Sequence, residues 1–322
     1  MGGCAMLALS PLSALVGLLL GFCLSAALLA LLKDKLPQDH GRAFAVNGQV
    51  SKGKARGGGV VFIPVFAAVT LLAAPFSWER CAYLFLTLAA MLTGYLDDRS
   101  DLPWGELKKG LLDLAICLLT LVTFMNTHGK YAFSLFGWQV SLPWWLFAPI
   151  ALFLLWAFIN CCNCADGVDG HFGTLSVIAL GALGYALYAF CGGGDWALCA
   201  LTLIGCILAY LLFNASPSLI MMGDAGSRAI GLFMGVLVLE TGNFLLCLPF
   251  AIVILLDGGL GLLKLAVMRT FKSKTFMARL RTPLHDEARK NRHWSDTQTV
   301  FRFAVVQLIC ALAGLLAMAA LR

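Results

Sequence analysis

The feature that most constrains this chain is its series of apolar blocks. They recur from about residue 5 to residue 321, and several reach the ~18–20 residues that a helix needs to cross a bilayer. The blocks are continuous rather than alternating with period two, which excludes an outer-membrane barrel. Apolar residues make up 60% of the 322 and charged residues 12%, about half the charge of an ordinary water-facing domain. A soluble enzyme, a disordered chain and a single-span anchor are excluded together. The expected fold class is all-α: a polytopic membrane protein of about ten transmembrane helices, near 5–32, 58–75, 80–96, 110–126, 143–160, 171–191, 195–213, 228–241, 244–268 and 300–321. Gly, Pro, Asn and charge fill the breaks, as helix-breaker logic expects. With no internal repeat or low-complexity linker, residues 1–322 read as a single integral membrane domain. The first block lacks a positively charged leader and reads as a span rather than a cleaved signal.

Basic residues set the orientation. Lys33, Lys35, Arg42, Lys52, Lys54 and Arg56 follow the first span. Arg99, Lys108 and Lys109 follow the third, and a run from Arg269 to Arg292 follows the ninth. The opposite loops offer only Arg80 and Lys130. The positive-inside rule therefore puts the odd-numbered loops in the cytoplasm and both termini outside. The acidic and amide motifs lie on the same odd-numbered loops: Asp97-Asp98, Asn160 to Gly170, Asn214 to Ser227, and His285. Solvated loops would scatter such groups over both faces, so one cytoplasmic cleft is the better reading.

The motifs suggest what that cleft does. In Asn163-Cys-Ala-Asp166-Gly167-Val-Asp169-Gly170 the polar residues recur every third position, so a helical turn brings them to one side. A bland Asp-Gly turn accounts for Asp166-Gly167 but not for the repetition. Gly223-Asp224-Ala-Gly226-Ser227 opens a span, where free backbone N–H groups favour an anion; Asp224 there suits a cation ligand or a plain N-cap. Asp97-Asp98 alone is ordinary helix-end chemistry. Converging, these carboxylates repel by ~1–4 kcal/mol per close pair, and a hard cation relieves this. Mg²⁺ takes carboxylate, phosphate and water oxygens, so the residues point to Mg²⁺-dependent phosphoryl transfer on an amphiphilic substrate. The chain's twelve cysteines lie mostly in apolar runs. Cys161, Cys162 and Cys164 read as small packing residues, since no second Cys/His cluster of zinc spacing follows.

Together, in this order from Lys52 to Arg302, the motifs resemble the polyprenyl-phosphate N-acetylhexosamine-1-phosphate transferase superfamily. Thr282-Pro283-Leu284-His285, His293-Trp294-Ser295-Asp296 and Val300-Phe301-Arg302-Phe303 look most like its phospho-N-acetylmuramoyl-pentapeptide transferase branch. That resemblance implies transfer of phospho-MurNAc-pentapeptide from its UDP carrier to undecaprenyl phosphate, giving lipid I and UMP for peptidoglycan synthesis. It implies a bacterial cytoplasmic-membrane homodimer of ten-helix protomers, with Mg²⁺ as cofactor, lipid around it and no nucleic-acid partner. Carried over by motif, Asp224 ligands Mg²⁺ and Asp97 activates the lipid phosphate, with Asp98 beside it. Asn163, Asp166 and Asp169 line the nucleotide-sugar pocket and Asn214 supports the metal site. His285 lies near the substrate phosphates, and Lys109 or Lys108, with Lys109 favoured, supplies a cation. Lys52, Met221 and Gly223 are assigned to substrate binding, Met221 standing where the family has an aromatic residue for uracil.

The sequence also departs from the family pattern. The triple-His stretch is His285-Asp286-Glu287, and Lys54-Ala55-Arg56 replaces Thr-Pro-Thr before Gly57-Gly58-Gly59. Asp97-Asp98-Arg99 with Leu102-Pro103, and Gly-Asp-Ala-Gly-Ser, look closer to the branch that uses UDP-GlcNAc, the alternative donor. A secondary transporter would place charge at the bilayer midplane and show repeats. Here Lys264 and Glu240 are the main in-span charges, and Lys264 can snorkel to the cytoplasmic edge.

Overall fold

The computed structural model describes residues 10–39, 52–100, 102, 104–129, 131–135, 138–272 and 275–321. Residues 5–9 of the first apolar block, Arg42, Pro103, Lys130 and Lys274 lie outside the described residues. Long helices dominate: α1 (Pro11–Leu32), α2 (Gly59–Ala73), α3 (Trp78–Asp98), α4 (Glu106–Thr127), α5 (Trp144–Ala165), α6 (His171–Phe190), α7 (Gly194–Asn214), α8 (Gly223–Glu240), α9 (Cys247–Thr270) and α11 (Asp296–Ala320). A short α10 (Leu284–Lys290) precedes the last. Seven, namely α1, α4, α5, α6, α7, α9 and α11, are long and apolar enough to cross a membrane. This is an α-helical polytopic membrane protein. α2 is apolar but only 15 residues long, and α3 and α8 carry charge at their ends.

Local signals start several helices. Ser77 caps α3 by accepting from the Arg80 amide, and Ser295 and Gln298 form a reciprocal capping box on α11. An antiparallel hairpin, β1 (Tyr131–Leu135) with β2 (Trp138–Leu142), joins α4 to α5 and was not legible among the apolar blocks. Its aromatic residues anchor it, with Tyr131 stacked on Phe147 at 4.4 Å and Phe133 4.9 Å from Phe244.

The core is built around α8. Every residue from Gly223 to Leu239 is buried, against α2, α3, α4, α5 and α6. Lipid tails are as apolar as Leu, so such packing is driven by close van der Waals fit and interhelical polar contacts. Small residues supply the fit. The backbones of Gly59 on α2 and Gly226 on α8 touch, and a Cβ on Gly231 would lie 2.6 Å from the Phe158 carbonyl oxygen of α5. Phe66 and Phe233 meet edge to face at 4.8 Å. A buried ion pair, Arg228 with Asp113, ties α8 to α4.

The two ends of the bundle are unlike. At one end α3 and α5 finish and α4, α6 and α8 begin, which gathers the acidic motifs. At the other, Thr127 donates to Glu79 Oε1 at 2.6 Å, and His128 lies 3.5 Å from Glu79 and 3.7 Å from Glu240. Arg80 at that end is buried, donates to the Pro75 carbonyl and pairs with Asp195 at 3.2 Å.

Candidate active site

Three carboxylates meet at the motif-bearing end. Asp97 and Asp98 are the last residues of α3, and Asp224 lies in the first turn of α8. They meet because Gly94, one turn before Asp97, lets α3 settle onto the Asp224 carbonyl, where any Cβ would collide. Gly223 holds φ +72°, a left-handed conformation that turns the chain into α8. A Cβ there would strike Asp98 Oδ2.

Two cations lace the trio. Lys109 Nζ pairs with Asp97 and lies 3.6 Å from Asp224 Oδ2. Asp97 also accepts from the Trp104 amide at 2.8 Å. Arg56 Nη2 lies 2.8 Å from Asp98 Oδ1 and 3.5 Å from Asp224 Oδ1, with Nη1 3.4 Å from Asp39. Burial alone would lower the Arg56 pKa, but Asp98, Asp224, Asp39 and Asp166 outweigh it and raise it from its ordinary value. Asp98 additionally accepts from the Ala225 amide at 3.2 Å. Lys108 instead covers the Trp104 ring, 3.3 Å from its centroid, so of the adjacent lysines it is Lys109 that enters the cluster.

The second motif forms the adjoining wall. Asn163 donates to Ser227 at 3.1 Å, fixing the end of α5 on the start of α8. Asp169 accepts from the Ser218 hydroxyl at 2.7 Å, the Ser218 amide at 2.9 Å and Lys54 Nζ at 3.2 Å. Asp166 ends α5 and acts electrostatically on Arg56. Asn214 is buried with both polar ends spent on backbone: it accepts from Gly170 N and donates to Ile220 O, each at 2.8 Å. It locks two loops together beside the cleft. Lys52 is exposed on a turn, and Lys54 is the lysine of that segment that reaches the cleft. Met221 is half-buried and pairs by its backbone with Ala55 and Gly58.

His285 closes the remaining side. Its amide donates to Asp257 Oδ1 at 2.8 Å and its Nδ1 meets Asp257 Oδ2 at 2.9 Å. His171 Nε2 shares that oxygen at 3.1 Å. Nε2 of His285 packs against Gly167 so closely that a Cβ there would collide with it. Asp286 is turned to Arg289, at 3.0 Å. Asp257, His171 and Arg56 were not assigned to the site from sequence; Asp257 sits mid-helix in an apolar block, and a lone carboxylate there without an adjacent basic residue is the one signal the sequence offers. Cys161 and Cys162 are buried free thiols, Cys161 packed on Gly258.

The donor set fits a hard cation. It is all oxygen, and Asp98 Oδ1 and Asp224 Oδ1 already converge on one cationic nitrogen, Arg56 Nη2.

Known proteins match the part of the chain that carries this geometry. The glycosyl transferase family 4 model matches residues 81–242, a stretch running from α3 to just past α8. The phospho-N-acetylmuramoyl-pentapeptide-transferase of Treponema pallidum (strain Nichols) is 40% identical over 322 aligned positions, covering 94% of this chain and 88% of that protein. The enzyme of the same name from Opitutus terrae is 34% identical over 136 positions, 38% of this chain and 34% of its own. That of Bartonella quintana is 30% identical over 124, covering 38% and 34%. Close similarity to the first along nearly its whole length, with the carboxylates of α3 and α8 inside the matched region, means that this chain belongs to glycosyl transferase family 4 and, within it, to the phospho-N-acetylmuramoyl-pentapeptide transferases.

Proposed function

We propose that the protein transfers phospho-MurNAc-pentapeptide from UDP-MurNAc-pentapeptide to undecaprenyl phosphate, with Mg²⁺, at the cytoplasmic face of a bacterial inner membrane. The observation that carries the reading is the convergence of Asp97, Asp98 and Asp224 with Lys109 and Arg56 at one end of a membrane bundle. A phosphate oxygen of the lipid attacks the sugar-bearing phosphorus of the donor. The phosphoanhydride bond breaks, the new diphosphate stays on the lipid, and UMP leaves. Asp97, held by Lys109 and the Trp104 amide, orients the lipid phosphate. Asp166, Asp169 and Asn163 shape the donor wall, with Gly223 and Met221 at its floor. His285 presents Nε2 beside Gly167 to a substrate phosphate. Asp224, with Asp98, would hold Mg²⁺, which when bound neutralises charge on the diphosphate. The remaining proposals are ten crossings with both termini outside, one domain, and a homodimer, which light scattering in detergent measures.

UMP release by purified protein with Mg²⁺ and undecaprenyl phosphate, comparing UDP-MurNAc-pentapeptide with UDP-GlcNAc, tests the reading. Turnover with the pentapeptide donor alone is expected. Turnover with UDP-GlcNAc alone keeps the site and replaces the donor. Silence with both in folded protein overturns the proposal.

A further inference from the structure

The segment that replaces Thr-Pro-Thr places an arginine among the carboxylates. Its backbone is held from two sides. The Arg56 amide donates to the Pro37 carbonyl at 2.8 Å, and the neighbouring Ala55 carbonyl accepts from Met221 N at 2.7 Å. Ala55 bridges both Gln38 and Ile220. From this fixed base the side chain enters the cleft, 17% exposed, and contacts Asp98 and Asp224 through a single nitrogen. A guanidinium keeps its charge at every accessible pH. The acidic trio, formally −3, therefore carries +2 of internal charge from Arg56 and Lys109.

A divalent ion approaching the Asp98–Asp224 face meets that fixed charge on the same oxygens. Two cations cannot share one carboxylate face at contact distance without strong repulsion. We propose that Arg56 is an internal counter-cation that competes with the divalent ion for Asp98 and Asp224, so that it holds the trio together without metal and sets how tightly metal binds. The inference rests on the metal-binding role given to Asp224 above. Asp39, 3.4 Å from Nη1, gives the guanidinium a further carboxylate partner through its other terminal nitrogen.

The test is Mn²⁺ binding to the purified full chain in detergent, without substrate, followed by electron paramagnetic resonance. Thermal melting shows that each variant is folded. Arg56→Gln is expected to bind Mn²⁺ about tenfold more tightly than the parent, and Arg56→Lys, which keeps the charge, to stay within about threefold. Arg56→Met, similar in length, repeats the measurement should the Gln variant fail to fold. Asp224→Asn is expected to remove the site from every background. Equal or weaker binding in the neutral variants, at a site that Asp224→Asn removes, overturns the Arg56 proposal and leaves the metal assignment standing. No Asp224-dependent binding in parent and variant alike overturns both.

Discussion

At the residue scale, the pairing of His285 with Asp257 decides which ring nitrogen is directed at Gly167. Asp257 takes the Nδ1 side, and its other oxygen takes the His285 amide. Nε2 is thereby the atom offered toward Gly167, whether the ring is neutral or charged. Asp257→Asn keeps the size but can donate where the carboxylate accepted, which reverses the tautomer. We expect a fall in kcat of about 10–100-fold with little change in KM for the donor or in melting temperature, checked by steady-state UMP release and thermal denaturation. A melting temperature that falls in step with activity would make Asp257 a packing residue. Sequence reading reached His285 because its Pro-Leu-His context is distinctive. It missed Asp257 because that residue is 28 positions away on another helix, and nothing local marks a partner that only folding supplies.

Elements explain why the carboxylates converge. The approach of α3 to α8 rests on Gly94, which has the Asp224 backbone directly against its Cα. Gly94→Val must push the two helices apart at the point where the trio forms. Overpacking of this kind costs about 1–3 kcal/mol, read as a lower melting temperature, and turnover should be lost more completely than stability. Deeper in the bundle, Asp113 and Arg228 are both buried and pair across α4 and α8. Removing one partner leaves a buried charge unmatched. Asp113→Ala should therefore destabilise by about 3–5 kcal/mol, checked by thermal or denaturant unfolding in detergent, while Asp113→Ala combined with Arg228→Met should recover part of the loss. Each of the ten expected apolar blocks overlaps one of α1–α9 or α11, of which seven are long and apolar enough to cross a membrane, since continuous apolar length is written directly in sequence. The Asp113–Arg228 pair was not legible, because two charges in separate apolar blocks reveal no contact until the blocks are packed.

On the scale of the whole molecule, the basic loops and the acidic motifs share one face. If that face is cytoplasmic, cysteine placed at Lys108 should react with a membrane-impermeant maleimide only from the cytoplasmic side, and cysteine at Asn126 only from the other. These assays in intact and opened cells, on a background with the exposed Cys23 and Cys191 replaced, fix the orientation. Reversed labelling would move the cleft outside and end the lipid-carrier reading. The helices that carry the trio and its lysine, α3, α4 and α8, are also fastened at their far ends, where Thr127 and His128 bring Glu79 and Glu240 together. A frame tied at both ends resists shear, and the short α10 segment is pinned beside it to α9 through His285–Asp257 and to α11 through Arg289–Asp296. In mechanical terms these three helices form a truss, and the spacing of Asp97, Asp98 and Asp224 is set by joints at both ends of the bundle.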